Sequence, residues 1–306
     1  MSQKRIVSLL PACTEIVCAL GCGGQIVGRS HECDFPPEVQ SVPACTAPRL
    51  DTGASSAEID SRIKSLSQNT SSIYEVNAAL LAQLRPDLIL TQTQCDVCAV
   101  SRQELEKVLP PPPAPQPEIV SIAPARLADV WRDIQTIAAA LGVAEGGQAL
   151  LWRLKNRVVD IIQKTCMVKR RLSVVCLEWL NPLMASGHWM PEMVQLAGGQ
   201  NLFGEPGKAA PRLEWKDIVA AEPDVIVLTP CGFNLARTRS EAKTLESQLG
   251  WAKLRAVKSK NIFVADGNAY FNRPGPRIVE SLEILAEILH PKLFSFGHEG
   301  KGWGRL

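Results

Sequence analysis

Short apolar runs recur along the chain with longer stretches of helical spacing between them, the pattern of βαβ units around a mainly parallel sheet. The first part predicts strands at 6–10, 25–28, 88–91 and 118–122, with helices between them. The helix ahead of the third strand carries Val76, Leu80, Leu81 and Leu84 along one side. It stops where Arg85-Pro86 forces the chain extended. A second series predicts strands at 173–177, 225–229 and 262–265, closed by a helix over 277–289. Between the two series lie helices over 127–141 and 145–164. The latter places Leu150, Leu151, Leu154, Val158 and Ile161 on one side, as a packed helix does. The expected fold class is α/β: two Rossmann-like lobes with mainly parallel sheets, joined by one long helix. The domains are 1–124, a helical region 125–168 that contains the bridge, and 169–306.

A faint echo links the halves. Arg85-Pro86-Asp87-Leu88-Ile89-Leu90-Thr91 is answered by Glu222-Pro223-Asp224-Val225-Ile226-Val227-Leu228-Thr229, each after a helix. Two lobes of the same build would give this, and so would a common way of leading a helix into a buried strand. The proline-rich stretch 110–117 reads as a stiff surface connector.

Composition narrows the function classes. At 306 residues and 46% hydrophobic content the chain can fill the cores of two domains, which excludes a disordered or fibrous protein. Its 33 basic and 31 acidic residues are evenly spread and leave a net charge of +2, so no basic stripe is available for nucleic acid. No stretch approaches the ~20 apolar residues of a membrane span. Lys4-Arg5 before the apolar 6–10 imitates a secretory signal, but Pro11 and Glu15 interrupt it. A strand running into a helix, with Thr14 as the cap, explains the same residues. Ten scattered cysteines with a single CxxC, Cys95 and Cys98, suit reduced thiols in a cytosol better than a disulfide scaffold.

Five segments, in order along nearly the whole chain, resemble the class III substrate-binding proteins. These helical-backbone receptors deliver cobalamin, ferric siderophores and haem to transporters, and the cobalamin branch is the nearest. The segments are Arg5-Ile6-Val7-Ser8-Leu9-Leu10-Pro11-Ala12-Cys13-Thr14-Glu15; Pro86-Asp87-Leu88-Ile89; Ser186-Gly187 with Leu196-Ala197-Gly198-Gly199-Gln200-Asn201-Leu202-Phe203; Pro223-Asp224-Val225-Ile226; and Phe271-Asn272-Arg273 leading to Pro276-Arg277. The resemblance implies a rigid linking helix and a ligand cleft between the lobes. It also implies that Tyr270, Phe271, Asn272 and Arg273 lie near the bound corrin; the alternative is that the two aromatics are core and Arg273 caps a turn.

In such folds ligands meet the loops at the carboxyl ends of the parallel strands. Those positions collect His31, Glu32 and Cys33 after the second strand, Gln92, Cys95 and Cys98 after the third, and Cys231 in the second half. Glu178, Trp179 and Met184 follow the first strand of that half, offering flat apolar faces beside polar groups to a large macrocycle. Imidazole and thiolate suit zinc, copper or the cobalt of a corrinoid, so His31, Cys33, Cys95, Cys98 and Cys231 are also candidate metal ligands. Equally, His31 could bond its own turn, and the CxxC pair could be packing or redox-active. No GxSxG elbow or Walker loop supports catalysis. The expected function is that of a binder and not an enzyme, and the resemblance implies cobalamin or a related corrinoid as ligand.

The chain departs from the family's exported pattern. The resemblance implies one docking glutamate on each lobe, but the matching positions carry Ala79 and Lys216, with Glu214 or Asp217 as the alternative acid at the second. A neutral and a basic residue there remove or reverse the steering charge. The expectation is a cytoplasmic relative that does not dock on an ABC permease. A transporter-linked receptor, and a metallochaperone or enzyme using the His/Cys set, are the alternatives.

Overall fold

The computed structural model describes residues 3–69, 73–93, 100, 102–109 and 116–306. Two compact units emerge, and the division falls inside one helix, between Trp152 and Arg153.

The first unit runs β1 (Ile6–Ser8), α1 (Pro11–Ala19), β2 (Ile26–Arg29), β3 (Thr46–Pro48), α2 (Ser56–Asn69), β4 (Tyr74–Val76), α3 (Ala78–Leu84), β5 (Leu88–Gln92), α4 (Arg102–Val108), β6 (Glu118–Ile122) and α5 (Leu127–Ala140), then enters α6 (Ala144–Thr165). Its main sheet has the order β2-β1-β5-β6, parallel throughout. β1 and β5 are buried along their whole length, as a sheet covered on both faces requires. Val7, Leu9, Leu81, Ile89 and Leu105 form a core on one face.

The second unit runs β7 (Ser173–Leu180), β8 (Leu183–Ala185), α7 (Met190–Leu196), β9 (Gln200–Asn201), α8 (Trp215–Ala221), β10 (Val225–Leu228), α9 (Leu235–Glu246), α10 (Arg255–Lys258), β11 (Ile262–Ala265), α11 (Ile278–Leu289) and β12 (Trp303–Arg305). The sheet order is β12-β11-β10-β7-β8, with β9 also pairing with β7. β7, β10 and β11 are parallel, whereas β8 and β12 close the edges antiparallel. Val175, Leu177, Ile226, Leu228, Ile262 and Val264 pack on one face against Ile218, Ala242 and Leu245. Among the described residues no helix is long and apolar enough to cross a membrane.

The echo between the halves has a common structural cause. Asp87 and Arg5 exchange a hydrogen-bonded pair: Arg5 N donates to Asp87 Oδ2 at 2.8 Å, and Asp87 N donates to Arg5 O at 2.8 Å. Asp224 and Ser173 do the same, with both bonds at 3.0 Å. In each unit the Pro-Asp turn clamps the start of the first strand and so sets its register against the strand that follows. The helices before the turns, α3 and α8, both end on a left-handed residue that is not glycine, Arg85 (φ 44°) and Glu222 (φ 47°). The two units therefore share this construction in detail.

Several expectations need correction. Helix α1 begins at Pro11 with Leu10 as its N-cap, and Thr14 lies inside it. Val76 belongs to β4, and α3 starts later because the Asn77 side chain accepts from Leu80 N. β7 runs to Leu180, past the expected end. β3, β4, β8, β9 and β12 had no signal in the hydrophobic pattern. The bridging helix is as read, with Leu150, Leu151, Leu154, Val158 and Ile161 all buried. Residues 110–115 of the proline-rich connector lie outside the described residues.

Candidate functional site

In the first unit the parallel order brings the carboxyl ends of β2, β1, β5 and β6 to one edge, and the residues after β2 form a hydroxyl-rich network there. His31 Nδ1 lies 2.8 Å from Thr46 Oγ1, which also accepts from His31 N and donates to Ser30 Oγ at 3.1 Å. Tyr74 stands beside the imidazole, ring centroids 5.3 Å apart, and its hydroxyl donates to Glu32 Oε1 at 3.0 Å. Burial, and next the positive charge of Arg29, hold His31 below the ordinary histidine pKa, so its imidazole is neutral at pH 7. The remaining nitrogen, Nε2, is buried with no hydrogen-bond partner among the described residues. A histidine fixed through one nitrogen with the other left unused is oriented as metal- and ligand-binding histidines are.

Cys33 does not join that edge. It is 1% exposed, and Thr14 Oγ1 donates to its sulfur at 3.0 Å, in a buried group with Ser8. The expectation that Cys33 meets a ligand or metal is corrected accordingly: the thiol is internal. Gln92, at the end of β5, is 5% exposed. Cys95 and Cys98 lie outside the described residues.

In the second unit the end of β7 and the loops after β10 and β11 are bonded to one another. Cys231 N donates to Glu178 O at 3.1 Å, and Asn268 N donates to Phe233 O at 3.1 Å. Asn272 Nδ2 donates to Thr229 O and to Gly267 O, both at 3.0 Å. A π-helical turn, Gly267–Phe271, follows β11, with the Asp266 side chain accepting from Ala269 N at 2.7 Å. Gly267 is required here, since a Cβ would run into the carbonyl of Pro230. Glu178 accepts from Gly187 N at 3.0 Å. Trp179 meets Phe233 edge to face, centroids 5.4 Å apart, and Arg237 lies 3.6 Å over the Phe233 ring.

The π-helical turn separates the four residues expected near a corrin. Tyr270 and Asn272 are half-buried at the strand-end edge. Phe271 is 1% exposed, a core residue whose carbonyl accepts from Trp189 Nε1. Arg273 is 5% exposed and donates to Asn268 Oδ1 at 3.1 Å. For Phe271 the core reading is the correct one, and Arg273 braces the loop from beneath. Trp179 and Met184 are half-buried, and Cys231 is exposed. Among the described residues no three of His, Cys, Asp and Glu converge to hold a metal. The pattern of the sequence missed Thr46 and Tyr74, because β3 and β4 bring them to His31 from distant positions. It also missed Phe233, Arg237 and Asn268, which sit in polar loop and helix-start sequence.

At the positions matching the docking glutamates, Ala79 is exposed near the start of α3. Lys216, near the start of α8, pairs with Glu214 at 2.5 Å. Glu214 and Asp217 form the capping box of that helix.

Both units are thus mainly parallel α/β sheets with loop chemistry gathered at the carboxyl ends of the strands. Residues 6–269 match the family model of periplasmic binding proteins, and the chain belongs to that family. The family is one of binding proteins, not enzymes. An uncharacterised ABC transporter substrate-binding lipoprotein of Bacillus subtilis is 25% identical over 303 residues, covering 95% of this chain and 81% of its own. A vitamin B12-binding protein of Vibrio cholerae is 22% identical over 290 residues, covering 94% and 89%. A periplasmic heme-binding protein of Pseudomonas aeruginosa superposes with a TM-score of 0.70 at 17% identity, covering 94% and 93%.

Proposed function

We propose that this protein binds a metal-chelating macrocycle, a corrinoid such as cobalamin or a similar metal chelate. The ligand-facing residues in this reading are Glu178, Trp179, Met184, Cys231, Tyr270 and Asn272 of the second unit; on the first unit His31 and Glu32 are candidate ligand contacts at that unit's own strand-end edge. The observation that carries it is the braced second-unit edge, where half-buried Trp179, near the end of β7, and Tyr270, on the turn after β11, stand on a frame tied together through Asn272, Asn268 and Glu178. Flat aromatic faces on a rigid frame suit a large, partly polar ring system and cost little ordering on binding. Names among the relatives, vitamin B12-binding and heme-binding, support the same ligand class.

Titration of the purified protein with hydroxocobalamin and, separately, with haemin tests this by calorimetry and absorbance. Saturable binding at one site, weakened about tenfold or more by Tyr270→Ala and by Trp179→Ala, is expected. If neither macrocycle binds, the reading fails. Stoichiometric zinc in the protein as isolated, lost in Cys95→Ser, would favour the metallochaperone reading instead.

We further propose a cytoplasmic location without permease docking. In support, none of the described cysteines is in a disulfide, and Cys13, Cys22, Cys33, Cys45 and Cys176 are buried thiols. A neutral Ala79 and a Lys216 paired to Glu214 offer no acidic pair to a permease. The transporter-linked reading is favoured by the Bacillus subtilis lipoprotein relative. Cell fractionation decides: recovery with membranes or in the periplasm would establish that second reading.

A further inference from the structure

Beyond the stretch matched by the family model, the chain after α11 turns back as a strap over residues 290–302 and then adds β12 to the sheet edge. Two carboxylates on α11 organise this strap. Glu287, 4% exposed, accepts from the backbone N–H groups of Phe296, Gly297 and His298 and from Trp303 Nε1. Glu283, 6% exposed, lies 2.8 Å from His298 Nε2 and is held from its other side by Arg157 of α6, at 2.9 Å and 2.8 Å from two guanidinium nitrogens.

The strap then meets the π-helical turn at three points. The His298 ring stands edge to face on Tyr270, centroids 6.2 Å apart. Gly302 packs against the same phenol ring, where an added Cβ would be 3.1 Å from Tyr270 Cε2. Asp266 N, at the start of the turn, donates to Gly302 O at 2.8 Å. The guanidinium of Arg277 lies 5.5 Å from the Tyr270 ring centroid.

We propose that His298 is a positioning residue for Tyr270: its ion pair with Glu283 fixes the strap, and the strap fixes the phenol ring at the ligand edge. The inference rests on the proposed role of Tyr270. It makes ligand affinity depend on the protonation of a residue remote from the ligand. The groups facing His298 are Glu280, Glu283 and Glu287 from α11, Arg157 from α6, and Tyr270 with Arg277 behind it; Glu299 and Lys301 flank it on the strap. The bond to Glu283 raises the His298 pKa, burial opposes it, and the charges of Glu283, Glu287 and Glu280 add to the rise, which prevails. Its cation is therefore the form that the strap favours. The latch is fully engaged below the ordinary histidine range, near 6.5, and loosens as pH rises through the raised value.

Two measurements test this. Hydrogen exchange of the peptide spanning 290–306, corrected for intrinsic rates, is followed from pH 6 to pH 8.5 in the protein without ligand. Protection of the strap amides is expected to fall across that range in the wild type and to stay level in His298→Gln, which keeps a donor to Glu283 but does not titrate. Affinity for hydroxocobalamin and haemin is then measured over the same range. The wild type is expected to weaken with rising pH, His298→Ala to lose about tenfold at pH 6, and His298→Gln to show a flat profile at the level the wild type reaches at high pH. Equal pH profiles of exchange in wild type and His298→Gln would overturn the latch whether or not any macrocycle binds. Level affinity across the pH range in a wild type that does bind would overturn the link to Tyr270. Strap behaviour as expected, with no macrocycle bound at any pH, would refute the proposed ligand class and leave the latch standing.

Discussion

Asp133 makes the stability of the first unit depend on pH in a calculable way. It sits on α5, 6% exposed, in line with the buried Val130, Ile134 and Ile137, and its Oδ2 has no hydrogen-bond partner among the described residues. Burial, opposed by Arg132 and reinforced by Asp129, pushes its carboxyl up from 3.8 to about 6. An acid whose folded pKa is raised is bound more tightly by its proton in the native state, so stability falls as pH rises through that interval. The full difference corresponds to about 3 kcal/mol above pH 6 and shrinks to about 0.5 kcal/mol at pH 4. Asp133→Asn removes the ionisation at nearly constant shape. In equilibrium urea unfolding the variant is expected to exceed the wild type by about 3 kcal/mol at pH 8, a midpoint gain of about 1.5 M for an m-value near 2 kcal/mol/M. At pH 4 the two curves should nearly coincide. A gap of the same size at both pH values would show that the carboxyl does not titrate in this interval, and the reasoning would fail.

Other substitutions probe the framework. Asp87→Ala and Asp224→Ala each strip the partner from a strand-start N–H and should cost about 1–3 kcal/mol. Asp224→Ala should cost more, because Arg170 and Arg255 also converge on that carboxylate, at 3.1 Å and 3.0 Å; thermal unfolding compares the two. Burial alone would raise the Asp224 pKa, but hydrogen bonds from Ser173 and Arg255 outweigh it and hold the group below the ordinary range. Its contribution is thus present above pH 4 and lost as pH falls further, which acid titration of wild type against Asp224→Asn should reveal. Arg85→Gly relieves a left-handed residue and is expected to stabilise by roughly 0.5–1 kcal/mol in urea unfolding. Gly267→Ala forces the π-helical turn away from Pro230 and should lower both thermal stability and macrocycle affinity.

The central strands were legible because a parallel sheet buried on both faces demands uninterrupted apolar runs, and 88–91, 225–228 and 262–265 supply them. The edge and accessory strands were not. β3 reads Thr46-Ala47-Pro48 and β12 reads Trp303-Gly304-Arg305, too short and mixed for any period to register. At the site, the strand-end rule located His31 and Trp179 near the carboxyl ends of the strands because it depends only on topology, whereas Tyr270 was reached through the family resemblance. The rule misjudged Cys33 because whether a thiol points to the edge or into the core is decided by Ser8 and Thr14, on other elements. Phe271 failed for a related reason. A π-helical turn sends neighbouring aromatics to different surroundings, and nothing in Ala269-Tyr270-Phe271 announces it.

The two units are most alike at the amino ends of their sheets and least alike at the carboxyl ends. The Pro-Asp clamp, the left-handed helix stop and the seven-residue helix before it recur in both. These features set strand register and say nothing about a ligand. Beyond the strands the chemistry diverges, to an imidazole with Thr46, Ser30, Tyr74 and Glu32 in one unit, and to Trp179, Phe233, Arg237 and Tyr270 on cross-braced loops in the other. Register is indifferent to what the strand-end loops carry, so substitutions there can change a ligand without unsettling the sheet. The substitutions suggested for the two ends should accordingly separate. Asp87→Ala and Asp224→Ala should lower stability with little change in affinity per folded molecule, whereas Tyr270→Ala and Trp179→Ala should do the reverse.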